Sequence, residues 1–600
     1  MVVEFITLFS VVGLFLAHCM VNGTVIQGLL KCWDFNEAAL SNVYIKSFFA
    51  GSLGLMLNIA VLFILGVCGF LSIGIVLTVA VLMLAAGVIF LIKYSPDAVS
   101  FWAELRFFEW GIFAVLLMIF LFSVMHAPGH WDDTMYQLPL SRTYIQHQGF
   151  FVNEFLRFPL FPQNINLVIT LGLMFGDDMM AQAFATLPLF IISLGLLGVS
   201  YWLTGSIVIG VISTAALFYM PPIKSTLGYA YIDNGLALFC WGCTVALAIW
   251  TQVPRGRVAN TWIIIAAILA GGAIGSKYFG LVMAAIVGCY LLLICKDIKS
   301  AFLFGVISLV IGSSWYLRSF IISGDPIHPV GGNIFGYYLW DATDLLNQKG
   351  EQATFGVDPK GLNIVAALDK VGLSFWMLAV LSLFVRNVPS SVRAFQIVFI
   401  GYLMFWFFAS QVDRYLAPIY AVGTLLSCYL LYAIYPLSIL KSFVEKGHYR
   451  LNTALLTFSI ASILALLSWQ QLQSARLGLN TWHVSLEYKP GFMLFSRANQ
   501  LIPQYGDRMI HLGFENLVYF YQGTAIGDWF GVGRYRDMVT CENNMCGVVS
   551  SAKLKEIMNG FSAKTFIIST EMFPVFDAGK YVDNFDVIAN DKSGYLLVLK

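Results

Sequence analysis

The chain has 600 residues, of which 59% are hydrophobic and 11% charged, with a net charge of +1 and a mean hydropathy of +0.79. A soluble core of this length does not need that much apolar surface, which excludes a soluble globular protein and leaves a polytopic membrane protein. The near-zero net charge says nothing about nucleic acid, which is not an expected partner.

A spanning helix needs about 20 apolar residues, and such runs recur about fourteen times along the chain. They lie near 4–22, 48–69, 71–92, 109–126, 179–203, 206–220, 231–251, 260–276, 278–295, 300–321, 372–386, 394–409, 415–435 and 452–470. The first run, from Met1 to Val21, has no basic start and no small-residue cleavage site, so it reads as a retained span rather than a cleaved signal. Lys31 and Lys46, Lys93 and Arg106, Arg255 and Arg257, Lys296 and Lys299, Arg386 and Arg393, and then Lys441, Lys446 and Arg450 all fall on one side if the spans alternate. Positive charge in short loops marks the cytoplasmic side. The loops 127–178 and 322–371 and the tail from 471 then face outward, into the periplasm if the membrane is a bacterial inner membrane. The expected division is a transmembrane domain over 1–470 and an extracytoplasmic domain over 471–600.

The loop 127–178 opens with Gly129-His130-Trp131-Asp132-Asp133-Thr134-Met135-Tyr136. From Thr134 to His147 apolar residues recur at helical spacing, which predicts an amphipathic helix lying in the membrane interface. Pro159 and Pro162 end it, and Asn164 to Phe175 is a second short apolar stretch. The tail changes character: it gains Asp, Asn, Lys and Gly. Strand-like runs appear at Arg508–Leu512, Thr565–Ser569 and Tyr595–Leu599, with a helical stretch at 551–559, which predicts a small α/β domain. Cys541 and Cys546, five residues apart in that outward tail, are expected to pair in an oxidising compartment.

Two adjacent carboxylates at the end of a span are costly to hold. Asp132 and Asp133 can act as a general base, as metal ligands, or as both; a carboxylate near a low-dielectric boundary has its pKa raised, which suits proton abstraction near neutrality. Either could instead cap a helix over 134–147. Lys277, Arg318 and Arg414 stand at outward ends of spans. Three outward cations suit an anionic substrate, most simply a phosphate, although Lys277 and Arg318 could snorkel and Arg414 could pair with Asp413. Asp233 opens a further span and could be a cap, as Asp177 or Asp178 is expected to be. His328 sits in a turn that Pro and Gly explain by themselves. The chain has no zinc-spaced His and Cys set, no phosphate-binding Gly loop of the Walker type and no Gly-x-Ser-x-Gly elbow, so soluble-nucleotide chemistry has no support.

These pieces, taken in order, resemble the C-type (GT-C) membrane glycosyltransferases, the group that includes protein mannosyltransferases and the aminoarabinose transferases of lipid A. Asp132-Asp133 with Tyr136 is similar to the family's acidic pair and following tyrosine. Tyr231-Ile232-Asp233 resembles the acidic start of a later helix, and Gly275-Ser276-Lys277-Tyr278 the Gly-x-x-Lys-Tyr turn. Trp315-Tyr316-Leu317-Arg318 with Gly324-Asp325-Pro326-Ile327-His328-Pro329 resembles Trp-x-x-Arg followed by Gly-Asn-Pro-x-x-Pro. Arg414-Tyr415 with Pro418 resembles Arg-Tyr-x-x-Pro.

The resemblance implies an enzyme of cell-envelope glycan biosynthesis. It would move a sugar from a polyprenyl-phosphate donor, with inversion, to a hydroxyl of a lipid, glycan or protein acceptor on the outer face. Asp132 would be the base, directly or with a divalent metal such as Mg or Mn, and Asp133 its partner or a ligand. Tyr136, Asp233, Lys277, Arg318, His328 and Arg414 would bind substrate, the three cations holding the lipid phosphate. A rival expectation is a transporter or flippase for a lipid-linked sugar or another anion. Transporters place such charges at mid-membrane and show two-half symmetry, whereas here they gather at outer ends and no repeat is evident. A polymerase or ligase acting on lipid diphosphates is a third expectation.

Overall fold

The computed structural model describes residues 2–33, 42–94, 107–355, 373–409, 411–434, 486–487, 489–542 and 545–600. The run at 452–470 and the cations Arg106, Lys441, Lys446 and Arg450 lie outside the described residues. The chain divides into two compact units, one comprising Met1–Val124, Pro162–Tyr316 and Glu351–Gln473, the other Met125–Phe161, Leu317–Gly350 and Ser474–Lys600.

The first unit is helical. Among the described residues 8 helices are long and apolar enough to cross a membrane, or 9 if the pair Ile298–Gly312 and Ser314–Ser323, bent by 52°, counts as one span. Others of the expected runs are helices too, but shorter: Phe107–Ser123, Ile207–Tyr219, Phe279–Ile294 and Leu373–Leu381. This is why a count of apolar runs exceeds the count of full-length spans. Helix Asp178–Thr204 as far as Ser200 and helix Asp233–Trp250 throughout are buried and form the centre of this unit, whereas Ile73–Tyr94 buries little of itself. Its outward row of Ile73, Leu77, Val81, Leu82 and Ile89 is an apolar surface suited to lipid rather than water.

Close packing here depends on small residues. Helices Val2–Leu30 and Val43–Val67 approach so closely that a Cβ on Gly54 would lie 1.9 Å from the Cys19 carbonyl oxygen, and one on Gly23 would lie 1.8 Å from that of Ala50. Such contacts let backbones meet where lipid offers no hydrophobic drive between helices. His18 and Asn58 add a buried hydrogen bond of 3.0 Å across the same interface.

The second unit is built on a five-stranded sheet, in the order β2 (Thr524–Ile526), β1 (Arg508–Leu512), β5 (Thr565–Ser569), β7 (Gly594–Leu599), β6 (Phe585–Asp591). The first three strands are parallel, and β7 and β6 join antiparallel. Its core combines Ile510, Leu512, Ile526, Phe566 and Ile568 with Leu554 and Met558 of helix Ser551–Gly560. A separate hairpin, β3 (Val539–Glu542) and β4 (Met545–Val548), carries a Cys541–Cys546 disulfide across it. Segments 125–161 and 317–350, from the two expected outer loops, belong to this unit rather than to the helical one.

Two measurements follow from this packing. Gly54→Val should cost at least the roughly 1–3 kcal/mol of an overpacked core and lower the melting temperature in detergent. Gly288→Ala, where a Cβ meets nothing within 4 Å, should not. Alkylation of Cys541 and Cys546 should require prior reduction; labelling without it would show the thiols unpaired.

Candidate active site

Asp132 and Asp133 begin a π-helical turn, Asp133–Gln137, that runs on into helix Leu138–Gln146. Such wide turns are rare and recur at functional sites. Neither acid is a cap in the expected sense: Asp132 occupies the position before the turn but makes no capping hydrogen bond, and both carboxylate oxygens of Asp133 are buried without a hydrogen-bond partner among the described residues. By contrast Asp177 does cap, accepting from the Met180 amide at 3.1 Å. The helix after the turn is not the expected free amphipathic ribbon. Leu138, Pro139, Leu140, Ser141, Thr143 and Tyr144 are all buried, and tail residues hold this segment through its polar atoms. The Thr134 hydroxyl lies 2.9 Å from the His130 carbonyl and 2.8 Å from that of Asn516. Arg142 donates to the Tyr519 carbonyl at 2.7 Å.

The tail also supplies a cation that the sequence does not point to. Lys489 donates to the carbonyls of Asn516, at 3.2 Å, and Gly129, at 3.4 Å, and so places its ammonium by the acid turn. Burial pushes the Asp133 carboxyl from its ordinary 3.8 up to about 8, although Lys489 pulls the other way. The nearby amides of Gly129 and His130 also favour the charged form, without reaching hydrogen-bond geometry. Burial lowers Lys489 in turn, and Asp133 opposes that. The pair lacks a full set of metal ligands: among the described residues no group of three or more His, Cys, Asp or Glu side chains gathers.

The remaining expected residues fall into separate groups. In the helical unit Lys277 donates to Asp233 at 2.8 Å, both side chains being largely buried, so Asp233 is an ion-pair partner rather than a cap. The Lys277 ammonium lies 4.7 Å from the Tyr415 ring centre, and the Arg414 guanidinium 5.5 Å from that of Tyr231. The turn that presents Lys277 is pinned by Asn164, whose amide nitrogens donate to the carbonyls of Gly275, at 2.9 Å, and Gly272, at 3.1 Å, and whose side-chain oxygen accepts from Trp315 at 2.8 Å. A Cβ on Gly275 would lie 2.3 Å from the Asn164 amide, so the motif's glycine is required by packing.

Arg318 and His328 belong to the other unit. Arg318 donates to the Pro159 carbonyl at 3.2 Å and lies 5.6 Å from the Phe150 ring, which ties it to the loop 127–178. His328 is buried, with its imidazole pushed down to about 4, and stands edge-on to Tyr338 at 5.9 Å. Tyr136 packs edge-on against Phe158 at 5.1 Å.

Comparison with known proteins gives two kinds of likeness. The family described as SF2091/S2213 matches residues 481–598. The chain is 41% identical over 191 residues to "Uncharacterized protein SF2093/S2215" of Shigella flexneri, covering 31% of this chain and 92% of that protein. It is 42% identical over 130 residues to "Uncharacterized protein SF2092/S2214" of the same organism, covering 22% and 71%. Among solved structures it is similar to ArnT from Cupriavidus metallidurans bound to undecaprenyl phosphate, at 14% identity and a TM-score of 0.50, over 82% of this chain and 98% of that one. The fold is thus that of the GT-C glycosyltransferases, with a sheet domain in the tail.

The unpartnered burial of Asp133 has a thermodynamic signature. A carboxyl whose folded value is about 8 against 3.8 costs no stability below pH 3.8 and progressively more as pH rises toward 8. Asp133→Asn cannot ionise. Its melting temperature should therefore exceed that of the parent at pH 8, and the difference should shrink as the pH is lowered to 5. An offset independent of pH, or a less stable variant at pH 8, would contradict this assignment.

Proposed function

The chain belongs to the same family as the Shigella flexneri proteins SF2093/S2215 and SF2092/S2214 and has the GT-C fold, and on that premise we propose that it is a membrane glycosyltransferase using a polyprenyl-phosphate sugar. The observation that carries this reading is the Asp133 carboxyl, fully buried beside Asp132 with neither oxygen hydrogen-bonded among the described residues. Natural structures rarely leave such a group unsatisfied without a use for it.

In this reading Asp132, which is 7% exposed, is the half of the pair that an acceptor hydroxyl reaches, and it takes the proton as the sugar–oxygen bond forms. Asp133, at 0%, is its buried partner. The acceptor oxygen attacks the anomeric carbon from the face opposite the phosphate, so configuration inverts. The bond from that carbon to the phosphate oxygen breaks and the lipid phosphate leaves as an anion. Lys277 and Arg414 are suited to receive that phosphate. Asp233 fixes the Lys277 ammonium, and the faces of Tyr415 and Tyr231 back the two cations. A phosphate leaving group stabilised by cations needs no general acid. In the ArnT structure undecaprenyl phosphate is bound, and that chemistry supports a polyprenyl-phosphate donor here. The transfer is proposed to occur on the outer face of the membrane, to a lipid, glycan or protein hydroxyl.

The test is incubation of purified protein with a panel of polyprenyl-phosphate sugars and detection of released lipid phosphate. Asp132→Asn should lower turnover by about 10²–10⁴-fold, the usual cost of a lost general base, with expression intact. Lys277→Ala should lower turnover more than it raises the donor KM. Full activity in Asp132→Asn would reject the base, and no release from any donor would reject the reaction.

A further inference from the structure

In the tail, the parallel neighbours β1 and β2 finish alike: β1 runs into Gly513-Phe514-Glu515 and β2 into Gly527-Asp528. The crevice beyond the carboxyl ends of parallel strands is where α/β sheets take their ligands. Here a side chain of this same molecule fills it. Arg157, from the first outer loop, donates through Nε to both carboxylate oxygens of Asp528, at 3.0 and 3.2 Å, and through Nη2 to one of them. Its guanidinium lies 4.8 Å from the Phe530 ring centre. Both charged side chains are at most 6% exposed. Glu515, 1% exposed, stands in the field of the same Arg157 and Asp528. Only glycine fits the approach at 527, where a Cβ would lie 2.1 Å from the His511 carbonyl oxygen.

The next few tail residues grip the second outer loop. Phe530 stacks on Trp340 at 4.9 Å. Arg534 donates to Asp341 at 2.6 Å and to Asp344 at 2.8 Å, Arg536 pairs with both, and the Gly531 amide donates to Asp344 at 3.2 Å. From Trp340 the ring contacts run back to Phe158, at 5.8 Å, and from Phe158 to Tyr136, at 5.1 Å. Tyr136 lies on the π-helical turn that carries Asp133.

We propose that segment 527–536 of the tail is an internal receptor for the two outer loops, with Arg157 as its built-in ligand, and that Arg157, Asp528 and Arg534 are positioning residues that hold the Asp132–Asp133 turn in its working geometry. A buried ion pair contributes little net stability against an apolar replacement, because desolvating both charges offsets their attraction. What it does fix is orientation, through a planar guanidinium held at two oxygens. The ordering of the loops is independent of the reaction; the effect on turnover rests on the glycosyltransferase reading.

The experiment uses the full chain in detergent, with hydrogen exchange and donor turnover measured on the same samples. In Arg157→Ala, amides of 129–146 should exchange at least roughly 10-fold faster as the loop opens locally. Turnover should fall about 10²-fold, as expected for a catalytic group displaced by an ångström, with the donor KM nearly unchanged. Guanidinium ion at millimolar concentration should restore both, and Arg157→Lys should restore them only in part. Unchanged exchange over 129–146, or loss of activity that guanidinium does not relieve, would overturn the proposal. The milder Asp341→Asn, with a partly exposed carboxylate, reads the second loop: faster exchange over 332–350 is expected, and unchanged exchange there counts against the receptor. If the parent releases lipid phosphate from no donor, the reaction fails while the exchange data still decide the loop ordering.

Discussion

Burying the Asp133 carboxyl without a hydrogen-bond partner costs on the order of 1–3 kcal/mol, more if it ionises, and contacts elsewhere in the same unit must offset that cost. They are concentrated on either side of it. The Thr134 hydroxyl reaches the Asn516 carbonyl, and Lys489 bridges the carbonyls of Gly129 and Asn516. Arg142 holds Tyr519, and the helix from Leu138 is buried on nearly every side. A turn held this firmly cannot rotate its acid toward solvent. The unpartnered burial of the acid and the contacts that hold its turn belong to one arrangement.

Several other charges in this apolar chain are paired directly, and among the described residues Asp133 stands apart in that both of its carboxylate oxygens lack a hydrogen-bond partner. Lys277 is matched to Asp233, Arg157 to Asp528, and Arg534 to Asp341 and Asp344. In each pair an opposite charge fixes the direction of the side chain. Asp133 makes no such ion pair: the field of Lys489, whose own hydrogen bonds go to carbonyls, and the nearby amides of Gly129 and His130 act on it without a hydrogen bond among the described residues. Were Asp133 structural in the same way, Lys489 would have been expected to bond it directly. The geometry instead keeps the cation in place while leaving the carboxyl's hydrogen-bonding capacity unused.

Much of the architecture was legible because it follows from composition and local pattern. Thirteen of the fourteen apolar runs correspond to helices, and strands occur at the three expected places in the tail. The acid turn was legible as an expensive feature, yet its environment was not. Hydrophobic periodicity gave 134–147 the look of an interfacial helix because it cannot distinguish a face covered by lipid from one covered by a distant part of the chain. Lys489, Arg157 and Asp528 were missed for the same reason: each matters through a contact made hundreds of positions away, as in the separation of 371 residues between Arg157 and Asp528. The one local signal was the run Gly527-Asp528-Trp529-Phe530-Gly531-Val532-Gly533-Arg534-Tyr535-Arg536, in which three glycines alternate with aromatic and charged residues. A glycine-rich loop after a strand signals close backbone approach, though not what approaches.

Asp233 shows how much of a residue's chemistry local spacing leaves open. An acid opening a helix is most simply a cap, and sequence spacing offers nothing against that. The structure turns the carboxylate to Lys277, 44 positions later, because Asn164, Trp315 and the close fit at Gly275 leave the Lys277 turn a single path. Lys277 is therefore no free cation awaiting an anion. It is an ammonium already shared with a carboxylate, with an aromatic ring 4.7 Å away. A phosphate arriving there would compete with Asp233 for the same donor. Such competition weakens ground-state binding and favours whatever state carries the most negative charge on the phosphate oxygens. In the proposed reaction that state is the one in which the bond to the sugar is breaking, and there the Asp233–Lys277 pair would promote departure of the lipid phosphate more than it would hold the donor.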